Sequence, residues 1–473
     1  MTRPGSEGIP LRVAIVGAGP TGYYAADHLF RQPGLVVEID MYDRVPTPYG
    51  LVRAGVAPDH QKIKSVTASF DKVAANPRFR FYGCVELGRH VSVDDLRAHY
   101  HMILYTTGAQ TDRRMGIPGE DLKNSHPATE FVAWYNGHPD YRHLTFDLSH
   151  ERAAIVGVGN VAVDVARILS RTPEELATTD IADYALEALR ASRVREVYLL
   201  GRRGPAQAAF TNPEVKELGE LADADVSAIP DEVELDDLSR AAMERAGDRA
   251  TRKKVDLLQA FARRAPTGKR RRLILRFLVS PVEILDDGHG AVGGMRLVRN
   301  KLYATDTGTL QPKATGDFED LPVGLVFRSV GYRGVSLPGV PFNDKWGVIL
   351  NEKGRVVDPE RKEPLVGEYT AGWIKRGPTG VIGTNKPDAA ETVACMMEDL
   401  AADRYLRPTE ASGEAVDRLV RERQPECFSY EDWLRLNEVE VRRGEETGRP
   451  RVKFTRIEDM LAALGRPFRS RRE

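Results

Sequence analysis

The 473-residue chain carries 68 Lys and Arg against 69 Asp and Glu, a formal net charge of −1, with 29% of its residues charged. That length has room for two or three domains at roughly 150 residues each, and the charge balance excludes a dedicated nucleic-acid binder, which carries a basic domain. Its three cysteines, Cys84, Cys395 and Cys427, stand far apart with no C-x-x-C pair. This excludes a disulfide framework, a redox dithiol and a cysteine-held iron–sulfur cluster, so redox chemistry has to come from a bound cofactor.

No run approaches the ~18 apolar residues of a membrane span. The first apolar stretch, residues 13–18, is too short and too glycine-bound for a signal segment, so an intracellular protein is expected. Residues 12–30 read as apolar strand, glycine turn and helix, with Gly17, Gly19 and Gly22 in the G-x-G-x-x-G spacing. The first glycine makes the tight turn, the second lets backbone approach a pyrophosphate, and the third packs helix on strand. The pyrophosphate rests on free N–H groups of the following helix, where Thr21 lies. The next strand ends at Asp43, 21 residues past Gly22, close to the ~20 expected for a carboxylate that accepts from a ribose hydroxyl. That acid would repel a 2′-phosphate, so the first site suits FAD or NAD.

Residues 153–169 repeat the strand–glycine–helix order, with Gly157, Gly159, Asn160, Val161 and Ala162 at the turn. The strand that should end in an acid ends instead in Gly201, Arg202 and Arg203. Two guanidinium groups without a carboxylate suit the 2′-phosphate of NADP(H). Two further runs, 102–110 and 325–334, read as strands entering glycine turns and bracket this second unit. The expected architecture is therefore α/β, with two Rossmann-like dinucleotide-binding domains. The NADP domain, residues 109–330, is inserted into an FAD domain made of 1–108 plus 331–473.

Charge is segregated along the chain. Residues 217–248 are acid-rich, whereas the next stretch holds Arg252, Lys253, Lys254, Arg263, Arg264, Lys269, Arg270, Arg271, Arg272 and Arg276. It reads either as a solvated face or as a docking patch for an acidic partner. Further on, Gly377, Gly380 and Gly383 open a loop, and Pro387, Asp388 and Glu391 mark a helix start. Val381 and Ile382 can there offer backbone N–H groups to a flavin, and Trp373 either packs in the core or flanks the ring. No Ser–His–Asp spacing, H-E-x-x-H or metal-ligand motif appears, so neither a hydrolase nor a metal site is expected. Beyond residue 410 the tail is either short helices or a frayed end.

The strings V-G-A-G-P-T-G, T-P-Y-G-L-V-R-A-G-V-A-P-D-H, Y-T-T-G-A-Q-T-D-R, G-V-G-N-V-A-V-D-V-A-R-I-L, G-R-R-G-P-A-Q-A-A-F-T and G-W-I-K-R-G-P-T-G-V-I-G-T-N make the chain resemble the adrenodoxin-reductase-type NADPH–ferredoxin reductases. The likeness runs from residue 12 to about 400. It implies FAD contacts at Thr21, Asp43, Leu51, Val85, Trp373, Gly380, Val381 and Ile382. It implies NADP contacts at Arg113, Asn160, Val161, Arg202, Arg203 and Glu214. The implied reaction is hydride transfer from NADPH to FAD N5, then one-electron transfers to an iron–sulfur ferredoxin docked on the basic stretch. His60 and Glu214 are the ionisable groups it puts beside the reacting rings. The family commonly has Glu where Asp43 stands, and Pro213 departs from its pattern next to Glu214. A bacterial, cytoplasmic, non-fused member is expected. The alternative is a flavin-dependent reductase of a small acceptor such as a quinone on the same fold.

Overall fold

The computed structural model describes residues 3–468, and the end of the basic tail, 469–473, lies outside the described residues. Leu11–Val16 is apolar at five of six positions and buried at all six, as expected of a parallel strand covered on both faces. Around it a seven-stranded sheet runs in the order Asn351–Glu352, Arg355–Val357, Pro364–Thr370, Met102–Tyr105, Leu11–Val16, Val37–Tyr42, Phe79–Tyr82. The last five are mutually parallel. The helix Pro20–Phe30 covers one face, with Tyr23, Ala25, Ala26 and Leu29 buried, and packs against the helix Asn385–Ala401.

A second, six-stranded parallel sheet comes wholly from residues 125–328. Its order is Ser125–Pro127, Leu325–Arg328, Arg152–Val156, Glu196–Leu200, Arg271–Arg276, Ala224–Ala228. A three-stranded antiparallel meander, Val279–Asp286, Val292–Ala304 and Leu310–Leu321, stands beside it. The two chain crossings between the sheets pair with each other, Thr111–Asp112 against Tyr332–Arg333.

The tail after residue 410, open in the sequence between helix and fray, forms the helices Gly413–Arg423, Tyr430–Glu445 and Ile457–Ala463. Ser429 starts the second with a reciprocal capping box, which satisfies two end donors at once. Trp433 is buried, and its indole N–H donates to the Tyr49 hydroxyl at 3.1 Å. Arg53 grips the buried Glu440 carboxylate with two bonds of 2.8 and 2.5 Å. The tail is thus built into the wall of the first unit.

Candidate active site

The main cavity, about 810 Å³, opens at the carboxyl ends of the first sheet. This is where ligands bind in open α/β sheets, outside the strand ends beside the glycine turn. Gly17, at φ +110°, needs its missing side chain: a Cβ there would meet the Thr106 carbonyl oxygen at 2.6 Å. A Cβ on Gly22 would meet the Gly17 oxygen at 2.5 Å, the close helix–strand approach expected of the third glycine. Gly19 differs, having open space where its Cβ would stand. It caps the helix Pro20–Phe30 with no side-chain bond to the first turn, so the N–H groups there remain available to an anion.

Asp43 sits at the end of the neighbouring strand. Its two carboxylate oxygens accept from Ala18 N–H at 2.8 Å and Val45 N–H at 3.1 Å. Burial pushes its pKa up, while the Val45 and Ala18 amides pull it back. Each oxygen keeps a second lone pair for a hydroxyl donor, so the shorter Asp holds the loop and still offers acceptors to a ribose. Thr21, Leu51, Val85, Trp373 and Ile382 all line this cavity. Trp373 is half-buried, its indole N–H donates to the Thr379 carbonyl at 3.1 Å, and its ring lies 5.6 Å from that of Tyr332. The Val381 side chain is 50% exposed, which leaves its backbone as the part that can meet a ring. The helix after this loop is Asn385–Ala401, and its Asp388 accepts from Gly372 N–H. These open glycines, uncapped amides and acceptor carboxylate fit an adenine dinucleotide such as FAD.

The second glycine turn has the same logic and the opposite sign. A Cβ on Gly157 would lie 2.1 Å from the Ser329 carbonyl oxygen, whereas Gly159 faces open space and caps Asn160–Ser170 without a side-chain bond. Asn160 Oδ1 accepts from Thr211 N–H at 2.9 Å, so its side chain braces the neighbouring loop. Val161 packs against the core. Beyond Glu196–Leu200, Arg202 is exposed and Arg203 half-buried. The Arg202 carbonyl accepts from the Asn300 amide at 2.9 Å and the Arg203 carbonyl from Leu278 N–H at 3.1 Å, which anchors the turn to the meander. Burial, then Arg202, pulls the Arg203 pKa down, with no acid opposing. Among the described residues no carboxylate neutralises either guanidinium, and the pair fits a 2′-phosphate. Arg113 is exposed at the crossing, where its Nε donates to the Tyr332 carbonyl at 3.3 Å.

His60 and Glu214 meet where the two units touch. The His60 Nε2 lies 3.9 Å from Glu214 and 2.8 Å from Glu217. Pro213 falls in the first turn of Asn212–Leu218, where it is tolerated, and Glu214 faces the fully buried Arg167 at 3.3 Å. Arg167 also binds Asp59 at 2.7 Å and Asp164 at 2.6 Å. Burial raises the pKa of Asp59, but Arg167 and Arg171 overcome it and hold the carboxylate below its usual range. For Glu214, burial, followed by Asp164, pushes the pKa up to about 7. The sequence shows no metal motif, yet one atom each of His60, Glu214 and Glu217 lie within 4.8 Å of one another; Arg167 already faces both acids. Sequence reasoning takes Glu217 only as part of the acid-rich stretch and gives Asp59, Asp164 and Arg167 no role. Asp164 and Arg167 gave a signal, an i,i+3 charge pair inside a helix with every position from 162 to 170 buried.

The basic stretch is only in part free cationic surface: Arg264, Arg270 and Arg272 are exposed, but several of its charges are already engaged. Arg271 is buried and bound to Asp223 at 2.9 Å, and Arg270 shares that acid at 2.8 Å. Arg272 pairs with Glu196, Lys254 gives its ammonium to the Ala208 carbonyl, Lys269 donates to Leu221 O at 2.6 Å, and Arg264 to Gly219 O at 2.9 Å. The acidic stretch before it folds back as its counter-charge, Glu232 gripping Arg276 at 2.8 Å. Arg252, Lys253 and Arg263 stay exposed on the helix Arg249–Arg263.

A family profile described as pyridine nucleotide-disulphide oxidoreductase matches residues 11–203. The chain is 45% identical over 457 residues to the NADPH-ferredoxin reductase FprA of Mycobacterium leprae, covering 95% of this chain and 97% of that one. It is 41% identical over 474 residues to the mitochondrial NADPH:adrenodoxin oxidoreductase of Arabidopsis thaliana, covering 96% and 95%. The solved structure of Mycobacterium tuberculosis FprA in complex with NADPH superposes with a TM-score of 0.89 at 44% identity, covering 96% of this chain and all of that one (100%). The fold and paired glycine turns define a flavoprotein of the two-dinucleotide class. Within that class the chain belongs to the adrenodoxin-reductase-type NADPH–ferredoxin reductases. No helix among the described residues is long and apolar enough to cross a membrane.

Proposed function

We propose that the amino-terminal groove holds FAD, that the second glycine turn holds NADPH, and that the protein passes electrons from NADPH to an iron–sulfur ferredoxin in the cytoplasm. The observation that carries this reading is the opposite charge at the two adenosine ends, the Asp43 carboxylate in one unit and the unpaired Arg202 and Arg203 in the other. Bound FAD supplies the conversion of a two-electron hydride into single electrons.

The chain's own residues do the rest. Gly17, Gly19 and the amides around Thr21 and Gly22 receive the pyrophosphate, and Asp43 accepts from the ribose. Leu51, Val85 and Ile382 exclude water from the groove, while Gly380 and Val381 offer backbone to the ring edge. Trp373, which lines the groove, would stand beside a bound flavin ring. Gly159 and Val161 admit the second pyrophosphate, Asn160 braces the loop, and Arg113 closes the crossing. His60 and Glu214 would hold a proton at the seam between the units, and the hydride chemistry that a bound flavin supplies needs alignment above all. The two units divide as 1–108 plus 331–473 and 109–330. For ferredoxin docking the exposed cations Arg252, Lys253 and Arg263 remain as the basic face, with Arg264 at its edge.

The test is Arg202→Ala with Arg203→Ala. Each charge-assisted bond to a 2′-phosphate is worth roughly 1.5–3 kcal/mol, so NADPH affinity falls at least about tenfold while NADH affinity is nearly unchanged. An unaltered NADPH/NADH preference would overturn the assignment of the second site.

A further inference from the structure

A second, smaller cavity of about 240 Å³ lies at the seam of three chain segments, lined by Tyr49 to Arg53, Gln61 to Asp71, Asp180 and the tail residues Trp433 to Lys453. That volume far exceeds the ~15 Å³ that one water needs. Four cations line it, Arg53, Lys64, Arg451 and Lys453, against two acids, Asp71 and Asp180. Behind the wall, Glu440 takes both Arg53, at 2.5 Å, and Arg451, at 3.3 Å. Counting Glu440, one positive charge is left over.

The imbalance is sharper at the lysines. Lys64 and Lys453 contest one carboxylate, Asp180, at 2.6 and 3.3 Å. Asp71 gives no help, since it accepts the hydroxyl hydrogens of Tyr49 and of Tyr430, the latter at 2.7 Å. Lys453 turns its remaining hydrogens to the Asn136 and Arg53 carbonyls at 3.2 and 3.3 Å. Burial depresses the pKa of both lysines, and Asp180 offsets it only in part. A buried ammonium short of counter-charge is costly, and an anion in the adjoining space removes that cost.

We propose that this cavity is a binding site for a small phosphate-class oxyanion, held by hydrogen bonds from Lys64 and Arg451, with the Lys453 charge behind them. Its walls belong to the 49–71 helices, the Asp180 loop of the inserted unit and the tail, so an occupied site ties these three segments together.

The test uses the FAD-loaded protein carrying Arg202→Ala and Arg203→Ala, so that phosphate at the adenosine end is not counted. Its melting temperature is followed by flavin fluorescence as inorganic phosphate or pyrophosphate replaces chloride at constant ionic strength. A ligand that binds only the folded protein raises the midpoint in a saturable way. The expected result is a saturable rise of about 2 °C or more with phosphate, with the half-saturating concentration increased at least about tenfold by Arg451→Gln and by Lys64→Met. Pyrophosphate acting at lower concentration than phosphate, with the same loss in Arg451→Gln and Lys64→Met, assigns the site to a diphosphate, and the reverse to the free ion. Arg451 is 27% exposed on the rim, so its variant tests the site even if Lys64→Met does not fold. No rise, or a rise of either form that is equal in every variant, overturns the proposal.

Discussion

Glu214→Gln turns the electrostatics of the seam into a stability measurement. Burial, reinforced by Asp164, moves this carboxyl from 4.5 to about 7 in the folded protein. A shift of that size makes the folded carboxylate unfavourable by roughly 3 kcal/mol, at about 1.4 kcal/mol for each tenfold change. The sign follows from linkage. A carboxyl whose folded pKa is raised binds more protons in the folded state, so stability is lost as pH climbs from about 4.5 and the loss is complete above about 7. Glutamine has no charge to lose, and Arg167 keeps Asp59 and Asp164 at 2.7 and 2.6 Å when it gives up Glu214. Some of the gain goes with the lost contact, leaving about 2 kcal/mol. For a chain of this size that is about 2 °C of melting temperature. The assay is thermal unfolding of the FAD-loaded variant and parent at pH 5 and pH 8.5. The variant should match the parent at pH 5 and exceed it at pH 8.5. Equal differences at both pH values would refute the electrostatic reasoning.

Gly17→Ala forces a Cβ to within 2.6 Å of the Thr106 carbonyl at a φ of +110°, so the purified protein should lose most of its flavin, read as the ratio of absorbance at ~450 nm to that of protein. Reversing Arg252, Lys253 and Arg263 to Glu should raise the KM for ferredoxin about tenfold and weaken its salt dependence, with ferricyanide turnover unchanged; equal loss on both acceptors would remove this face as the docking site. Glu440→Ala strands the buried Arg53 guanidinium and takes a partner from Arg451 on the rim. It should destabilise by about 3–5 kcal/mol, seen as a lower denaturant midpoint and as proteolysis of the tail ahead of the rest.

The parts of this fold that were legible in the sequence depend on short-range patterns. A β-branched run, three spaced glycines and a helical periodicity fall within 20 residues, so Leu11–Val16 with Pro20–Phe30, and Arg152–Val156 with Asn160–Ser170, could be read directly. The sign at each strand end was equally local, Asp43 in one unit and Arg202 with Arg203 in the other. What could not be read depends on partners far along the chain. Arg271 looked like surface charge because its acid, Asp223, is 48 residues away. His60 and Arg167 are 107 residues apart and meet only once both units have folded. The tail was obscure because its helices are mostly polar and gain order from single anchors, Trp433 against Tyr49 and Glu440 against Arg53.

The paired crossings have a mechanical consequence. Both strands that join the units run side by side as one antiparallel ladder, Thr111–Asp112 with Tyr332–Arg333, and so act as a single pivot, where two separated linkers would resist twisting. Resistance to a swing of the inserted unit comes from the seam, where Arg167 holds Asp59 at 2.7 Å and Lys64 holds Asp180 at 2.6 Å, and from the distant carboxyl-terminal strap. There Arg449 reaches the Thr179 carbonyl at 2.8 Å and Asp183 at 2.5 Å, and Lys453 reaches Asn136 at 3.2 Å. Stiffness at the joint is therefore shared with residues some 120 positions beyond the last crossing, and trimming them would loosen the swing and open a wall of the first groove, which Phe454 and Met460 line.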